Sequence, residues 1–185
     1  MVVETASVRP RAIVDSSFWT VAFGARIEVF LPRLFDLYAP TRVHEEMVAA
    51  SRRAGGATYP YAEGFRLWLD VGLLTLADPT EPWPEEWGPE QFAGKGEQHV
   101  LLGAMEHRAI ALINEGPAWR FAVDCGLPVL HVPGWIVRLA ARRIITPGTG
   151  LQALDATERG HRTQQTFVDQ ARSVLHRLQE VKQDG

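Results

Sequence analysis

Five short apolar runs punctuate the chain: "RAIV" (11–14), "DLYAP" (36–40), "GLLTLAD" (72–78), "AIALIN" (109–114) and "LPVLHV" (127–132). Each is too brief for a buried helix, and each is followed by a stretch with helical spacing or a capping residue. Strands that alternate with helices have few ways to hide both faces. The economical one is a parallel sheet built from right-handed β-α-β crossovers. The expected fold is therefore three-layer α/β/α, with a central parallel sheet of four to five strands and an added C-terminal helix.

The intervening segments fit that frame. Ser16 or Ser17 is positioned to cap a helix through Phe18–Ala22, and Thr41 to cap one over 41–53 with Val43, Met47 and Ala50 on its apolar face. The stretch 27–35 reads as a helix with an early proline. Further helices are expected over 61–70, 96–108, 115–126 and 133–144, with Pro117 starting the third of these and Gly126 stopping it. Residues 54–60 read as a loop. Residues 79–90, with four prolines, Trp83, Trp87 and a run of acids, read as a long structured loop. A last helix over about 163–182 places Phe167, Ala171, Val174, Leu175, Leu178 and Val181 on one face. The expected organisation is one domain over 1–150 and a helical extension over 151–185, packed on the domain or on a second copy.

Charge and composition narrow the function classes. At 46% hydrophobic and 22% charged, the 185 residues can bury a proper core and are not disordered wholesale. No apolar run is long enough to span a bilayer, and the first residues lack a signal-peptide pattern, so a cytoplasmic chain is expected. The single cysteine, Cys125, excludes an intrachain disulfide, and the scattered histidines lack zinc-site spacing. The net charge of −3 argues against a general polyanion binder. Its distribution is uneven: residues 61–97 hold eight acids against two bases, whereas residues 98–185 hold ten bases against eight acids.

In an open parallel sheet, ligands gather beyond the carboxyl ends of the strands. Asp15 ends the first strand, Asn114 and Glu115 end the fourth, Glu45 and Glu46 follow the second, and Glu97 opens the helix that leads into the fourth. Each has a plainer explanation. Asp15 suits a turn, Glu97 suits the first turn of a helix dipole, and Glu45 and Glu46 suit a solvated face. Their joint placement at one edge is the stronger signal. The "GKGEQ" stretch (94–98) lacks the order of a phosphate loop, so its glycines are expected to turn the chain into a helix that aims Glu97 inward.

In order and spacing, "IVDSSFW" (13–19), "PTRVHEE" (40–46), "GKGEQHVLLGA" (94–104) and "ALINEGPAWRFAVDCGLPVL" (111–130) resemble the PIN-domain family of metal-dependent ribonucleases. The closest branch is the one that includes toxins of toxin–antitoxin pairs. The resemblance covers roughly residues 11–178. It implies that Asp15, Glu46, Glu97 and Glu115 act as catalytic acids. With Asn114, which brings a carbonyl oxygen but no charge, they would be the metal ligands. Two positions depart from the family pattern: Asn114-Glu115, where aspartates are usual, and "HVPGW" (131–135), where Gly-Thr is common.

Oxygen ligands of this kind select Mg²⁺ or Mn²⁺. Two carboxylates ~4 Å apart repel by about 4 kcal/mol at an effective dielectric near 20, and a divalent cation reverses that sign. The resemblance further implies an RNA substrate, a small antitoxin partner and a homodimer. Substrate contacts are expected from Ser16, Ser17 and Lys95, and from Arg138 and Arg142, with Arg52, Arg53 and Arg143 as further candidates. Trp83 and Trp87 either stack on a base or form the core of their own loop. The alternative function is a PIN-like module with a weakened metal site that binds RNA or a protein.

Overall fold

The computed structural model describes residues 9–53, 59–88, 90–159 and 163–180, without the side chains of residues 50–53. Five parallel strands form one sheet in the order β3-β2-β1-β4-β5, with β1 Arg11–Val14, β2 Asp36–Ala39, β3 Thr75–Leu76, β4 Ile110–Leu112 and β5 Val129–Leu130. Helices cover both faces: α1 Ser16–Gly24, α2 Leu31–Leu34, α3 Thr41–Arg53, α4 Pro60–Asp70, α5 Gly96–Glu106, α6 Gly116–Asp124, α7 Val132–Ala141, α8 Pro147–Arg159 and α9 Gln165–Glu180. The expected three-layer α/β/α architecture with a C-terminal helix is present.

The sheet is built outward from β1. Ile13 lies beside Tyr38 of β2 and beside Ala111 of β4. Chain direction across the sheet reverses between β1 and β4, so the crevice at their carboxyl ends is the topological switch point. The two edge strands are shorter than expected. Each has one neighbour, and flanking backbone groups bond elsewhere: Leu74 N–H donates to Trp68 O of α4, and His131 already caps α7.

Several local expectations are corrected. Helix α1 is capped by Asp15, whose carboxylate accepts from Ser17 N–H at 2.9 Å, and not by Ser16 or Ser17. Helix α3 is capped from across the sheet: Asp78, just after β3, accepts from Thr41 N–H at 2.7 Å and from its hydroxyl at 2.6 Å. The stretch 27–35 is a 3-10 turn, Glu28–Phe30, followed by α2, because Pro32 offers no N–H to a continuing helix and fits only its first turn. Helix α8 is new. Thr146 Oγ1 accepts from Thr149 N–H at 3.1 Å and starts it. Gly150 lets it approach α7 and α9, since a Cβ there would stand 3.0 Å from Leu175 Cδ2 and 3.3 Å from Ile136 Cγ2. The 54–58 part of the loop, the side chains of Arg52 and Arg53 and the residues beyond 180 lie outside the described residues.

Helices α1, α4, α5, α6 and α7 close with one motif, in which a left-handed residue sends its N–H back three residues and the next residue sends its N–H back five. The left-handed positions are Gly72 and Gly126 after α4 and α6, but Arg26, Arg108 and Arg143 after α1, α5 and α7, at φ 57°, 49° and 59°. A side chain in that conformation costs about 1 kcal/mol where glycine costs nothing.

One core runs from Ile13 and Val14 through Trp19, Leu101, Leu112 and Trp135 to Leu154 and Leu175. The apolar face of α9 (Phe167, Val168, Ala171, Leu175) is buried, so it is used within the chain. Leu175→Ala is accordingly expected to destabilise the whole domain by roughly 2–5 kcal/mol. Urea unfolding followed by far-UV circular dichroism and tryptophan fluorescence should give one shared, shifted transition. A separate early transition of the C-terminal helices would contradict this.

Candidate active site: a carboxylate cleft at the switch point

Asp15 sits where β1 ends, and its N–H still donates to Leu112 O of β4 at 3.0 Å. Its side chain is 1% exposed. One oxygen, Oδ2, accepts from the backbone N–H and the hydroxyl of Ser17. The other, Oδ1, is buried without a hydrogen-bond partner. Burial pushes the Asp15 carboxyl up to about 7; the Ser17 hydrogen bonds oppose that shift, and the charges of Glu97 and Glu46 add to it.

Glu46 projects from the second turn of α3. Its Oε2 accepts from Ser16 Oγ at 3.0 Å and its Oε1 from Gly96 N–H at 2.9 Å. A helix start that resembles a phosphate cradle thus holds an internal carboxylate. Gly96 is required by that contact, since a Cβ would stand 2.9 Å from Glu46 Oε2. Glu97, one residue on, lies beside the carboxyl of Glu115 at the head of α6. Burial chiefly, with the charge of Glu115, raises its pKa, while Lys95 acts against the rise. Lys95 itself is exposed at the residue before α5.

Ser17 also joins the two sides of the crevice, its Oγ accepting from Asn114 N–H at 3.2 Å. The Asn114 side chain is committed to bracing. Its Oδ1 accepts from Val132 N–H at 3.2 Å, and its Nδ2 donates to Thr163 Oγ1 at 3.1 Å. His131 caps α7 by accepting from Gly134 N–H at 2.9 Å and lies flat on Phe167 at 4.0 Å; burial lowers its pKa to about 4. It is a neutral structural imidazole.

A cavity of about 350 Å³ opens beside these acids, lined by Ser16, Ser17, Thr20, Glu46, Met47, Tyr61 and Glu115. Thr20 and Tyr61 were not anticipated. Thr20 lies one helical turn beyond Ser16, a spacing visible in the sequence, whereas Tyr61 arrives through the packing of α4 on α1. Tyr59, exposed, stacks on Tyr61 at 5.2 Å.

Asp15, Ser16, Ser17, Glu46, Glu97, Asn114 and Glu115 therefore meet at one edge. Arg138 and Arg142 do not. Helix α7 starts at that edge and runs away from it, and Arg138 lies 5.7 Å from the ring of Phe35, at the amino end of β2. The two arginines expected to contact substrate thus stand apart from the acids. Trp83 and Trp87 also turn inward, packing on Phe121 of α6 at 5.3 and 5.7 Å.

Among the described residues, no group of three or more His, Cys, Asp or Glu side chains is drawn tightly enough together to hold a metal ion. The donor set still fits a hard cation. Asp15 Oδ1 is a buried oxygen in want of a positive partner, and Glu97 and Glu115 supply further carboxylate oxygens. Glu46 has both oxygens engaged within the chain. No family model matches this chain, and no curated protein matches it by sequence.

Two outcomes follow. The folded Asp15 carboxyl has a raised pKa, so its contribution to stability is full below about pH 4 and lost as pH rises through about 7. In chelator, Asp15→Asn should remove that part of the loss and melt at or above wild type near pH 8; thermal scans across pH 5–8 measure this. Glu46→Ala should cost roughly 0.5–2 kcal/mol by releasing the start of α5. Glu46→Gln, which still accepts from Gly96, should cost less. Equal losses in chemical denaturation would show that the contact is unimportant.

Proposed function

We propose that the chain is a Mg²⁺- or Mn²⁺-dependent endoribonuclease that hydrolyses phosphodiester bonds of RNA. The observation that carries this proposal is the buried, unpartnered Asp15 Oδ1 facing the charges of Glu97 and Glu46. A fold tolerates such a group where a ligand completes it. Asp15, Glu97 and Glu115 would hold the cation, and Glu46 would secure the start of α5 beside them. When bound, the cation would supply charge neutralisation and an activated water at the phosphodiester.

The protein's own groups support the remaining tasks. Ser17 fixes the rotamer of Asp15, and Ser16 orients Glu46. Glu97, whose carboxyl is raised by burial and by the charge of neighbouring Glu115, can hold or release a proton beside the cleft. Tyr61 in the cavity wall, with Tyr59 stacked on it, offers a flat surface for a base. The PIN-like order of motifs extends the proposal to a cytoplasmic toxin whose small antitoxin inserts a segment into the acidic cleft. It also implies a homodimer. With the apolar face of α9 used internally, the exposed Leu67 of α4 and Val71 just after it, together with Leu73 and Leu76, are a better-placed seam. Among the described residues no helix is long and apolar enough to cross a membrane.

A second function, a PIN-like module that binds RNA or protein without cleaving it, is favoured by Asn114. That residue contributes no charge, and its amide is engaged on both sides. Metal titration separates the two. Mn²⁺ at a hundredfold excess over its Kd should stabilise the nuclease by about 2.7 kcal/mol. Single-stranded RNA should be cut, and Asp15→Asn should abolish both effects. A Mn²⁺-induced shift without cleavage would select the binding module. No shift at millimolar Mn²⁺ would rule out the nuclease.

A further inference from the structure

The edge of the sheet opposite the cleft carries a second charged feature. Arg26 and Arg33 flank the turn before β2, and Arg138, Arg142 and Arg143 lie at the end of α7. One apolar seam links the two groups: Trp135 Nε1 donates to Ile27 O, next in the chain to Arg26, at 3.4 Å, and the Trp135 ring lies 5.4 Å from Phe35. The guanidinium of Arg33 rests 5.5 Å from the ring of Phe30, and that of Arg138 rests on Phe35. None of the five forms an ion pair with a described carboxylate. Of the acids in the 26–36 segment, Asp36 is held by Arg9 at 2.7 Å, and Glu28 is buried, with the charge of Arg26 acting on its carboxyl without an ion pair.

Two of these arginines stand where the backbone favours glycine. Arg26 and Arg143 occupy left-handed helix ends, a place that Gly72 and Gly126 fill after α4 and α6 in the same motif. The motif therefore does not need arginine. Arg138 and Arg142 already supply positive charge to the end of α7. At these two positions the strained residue adds exposed positive charge to the patch, while Arg108 after α5 takes the same conformation outside it.

We propose that this patch binds the phosphodiester backbone of an RNA strand, gripping it at a distance from the acidic cleft. The choice of RNA rests on the ribonuclease proposed above. A cleft lined by carboxylates repels a polyanion, so the attraction that brings RNA to the protein must come from another surface. Guanidinium groups ordered against rings suit the forked geometry of phosphate oxygens. Helix α1, about 14 Å long, separates the patch from Asp15.

The test is fluorescence anisotropy of a short labelled single-stranded RNA in EDTA, over a range of salt. Arg26→Gly with Arg143→Gly should lower the slope of log affinity against log salt by about 1.4, from two phosphate contacts at roughly 0.7 each. It should melt no lower than wild type. Arg26→Lys with Arg143→Lys should keep the slope. Should the glycine pair fail to fold, Arg142→Glu reports the same loss of slope. An unchanged slope overturns the proposal, as would binding of phosphatidylglycerol vesicles, and not RNA, through these arginines. Because no metal is present, the result is independent of cleavage. A lost slope in a chain without Mn²⁺-dependent cleavage would keep the patch and remove the nuclease, and cleavage with an unaltered slope would do the reverse.

Discussion

A carboxylate buried at the meeting point of β1 and β4 governs the rest of the molecule. Asp15 cannot be read as an ordinary helix cap, although it caps α1. Capping satisfies one of its oxygens and leaves the other enclosed without a donor. Leaving a buried polar atom unpaired costs on the order of 1–3 kcal/mol, and more when it is charged. The surroundings increase that cost, since Glu46 and Glu97 add negative charge. A chain selected for stability alone would place an asparagine or a serine there.

The cost is contained by a brace that reaches far along the chain. Ser17 holds Asp15 and receives the N–H of Asn114. Asn114 in turn joins the start of α7 to Thr163 ahead of α9. His131 and Phe167 stack across the same junction. The C-terminal helices thus belong to the support of the site as well as to the core. Asn114 and His131, where the sequence departs from the PIN-like pattern it resembles, both fall within this brace. Their side chains make the ties that close this side of the sheet.

What was legible in the sequence depended on how local the cause was. Strand and helix alternation is local, and it placed all five strands and most helices. The strand-end rule brings Asp15 and Glu115 to one edge, where Glu97 at the start of α5 also lies. Helix α8 was hidden because Gly148 and Gly150 depress helix propensity, while the reason for Gly150 is a close approach to Leu175, far along the chain. The engagement of Glu46 was hidden likewise, since its partner Gly96 N–H lies fifty residues away. For Arg138 and Arg142 the helical spacing shows a shared face but not how far that face stands from the cleft. A helix that leaves the carboxyl edge of a sheet carries its later residues to the opposite edge.

That directional rule also orders the charges of the whole molecule. Helices α1, α5, α6 and α7 begin at the cleft, so their positive ends converge there and their negative ends point to the opposite edge. Asp15 caps α1, Glu46 receives an N–H from the start of α5, and Glu115 precedes α6. Arg26, Arg108 and Arg143 sit just past the ends of α1, α5 and α7. The helix dipoles therefore lower the cost of gathering carboxylates at one edge and arginines at the other. This is why the cleft can hold its acids together before any cation neutralises them. It also accounts for the arginines gathered at the far edge, although the chain as a whole is acidic.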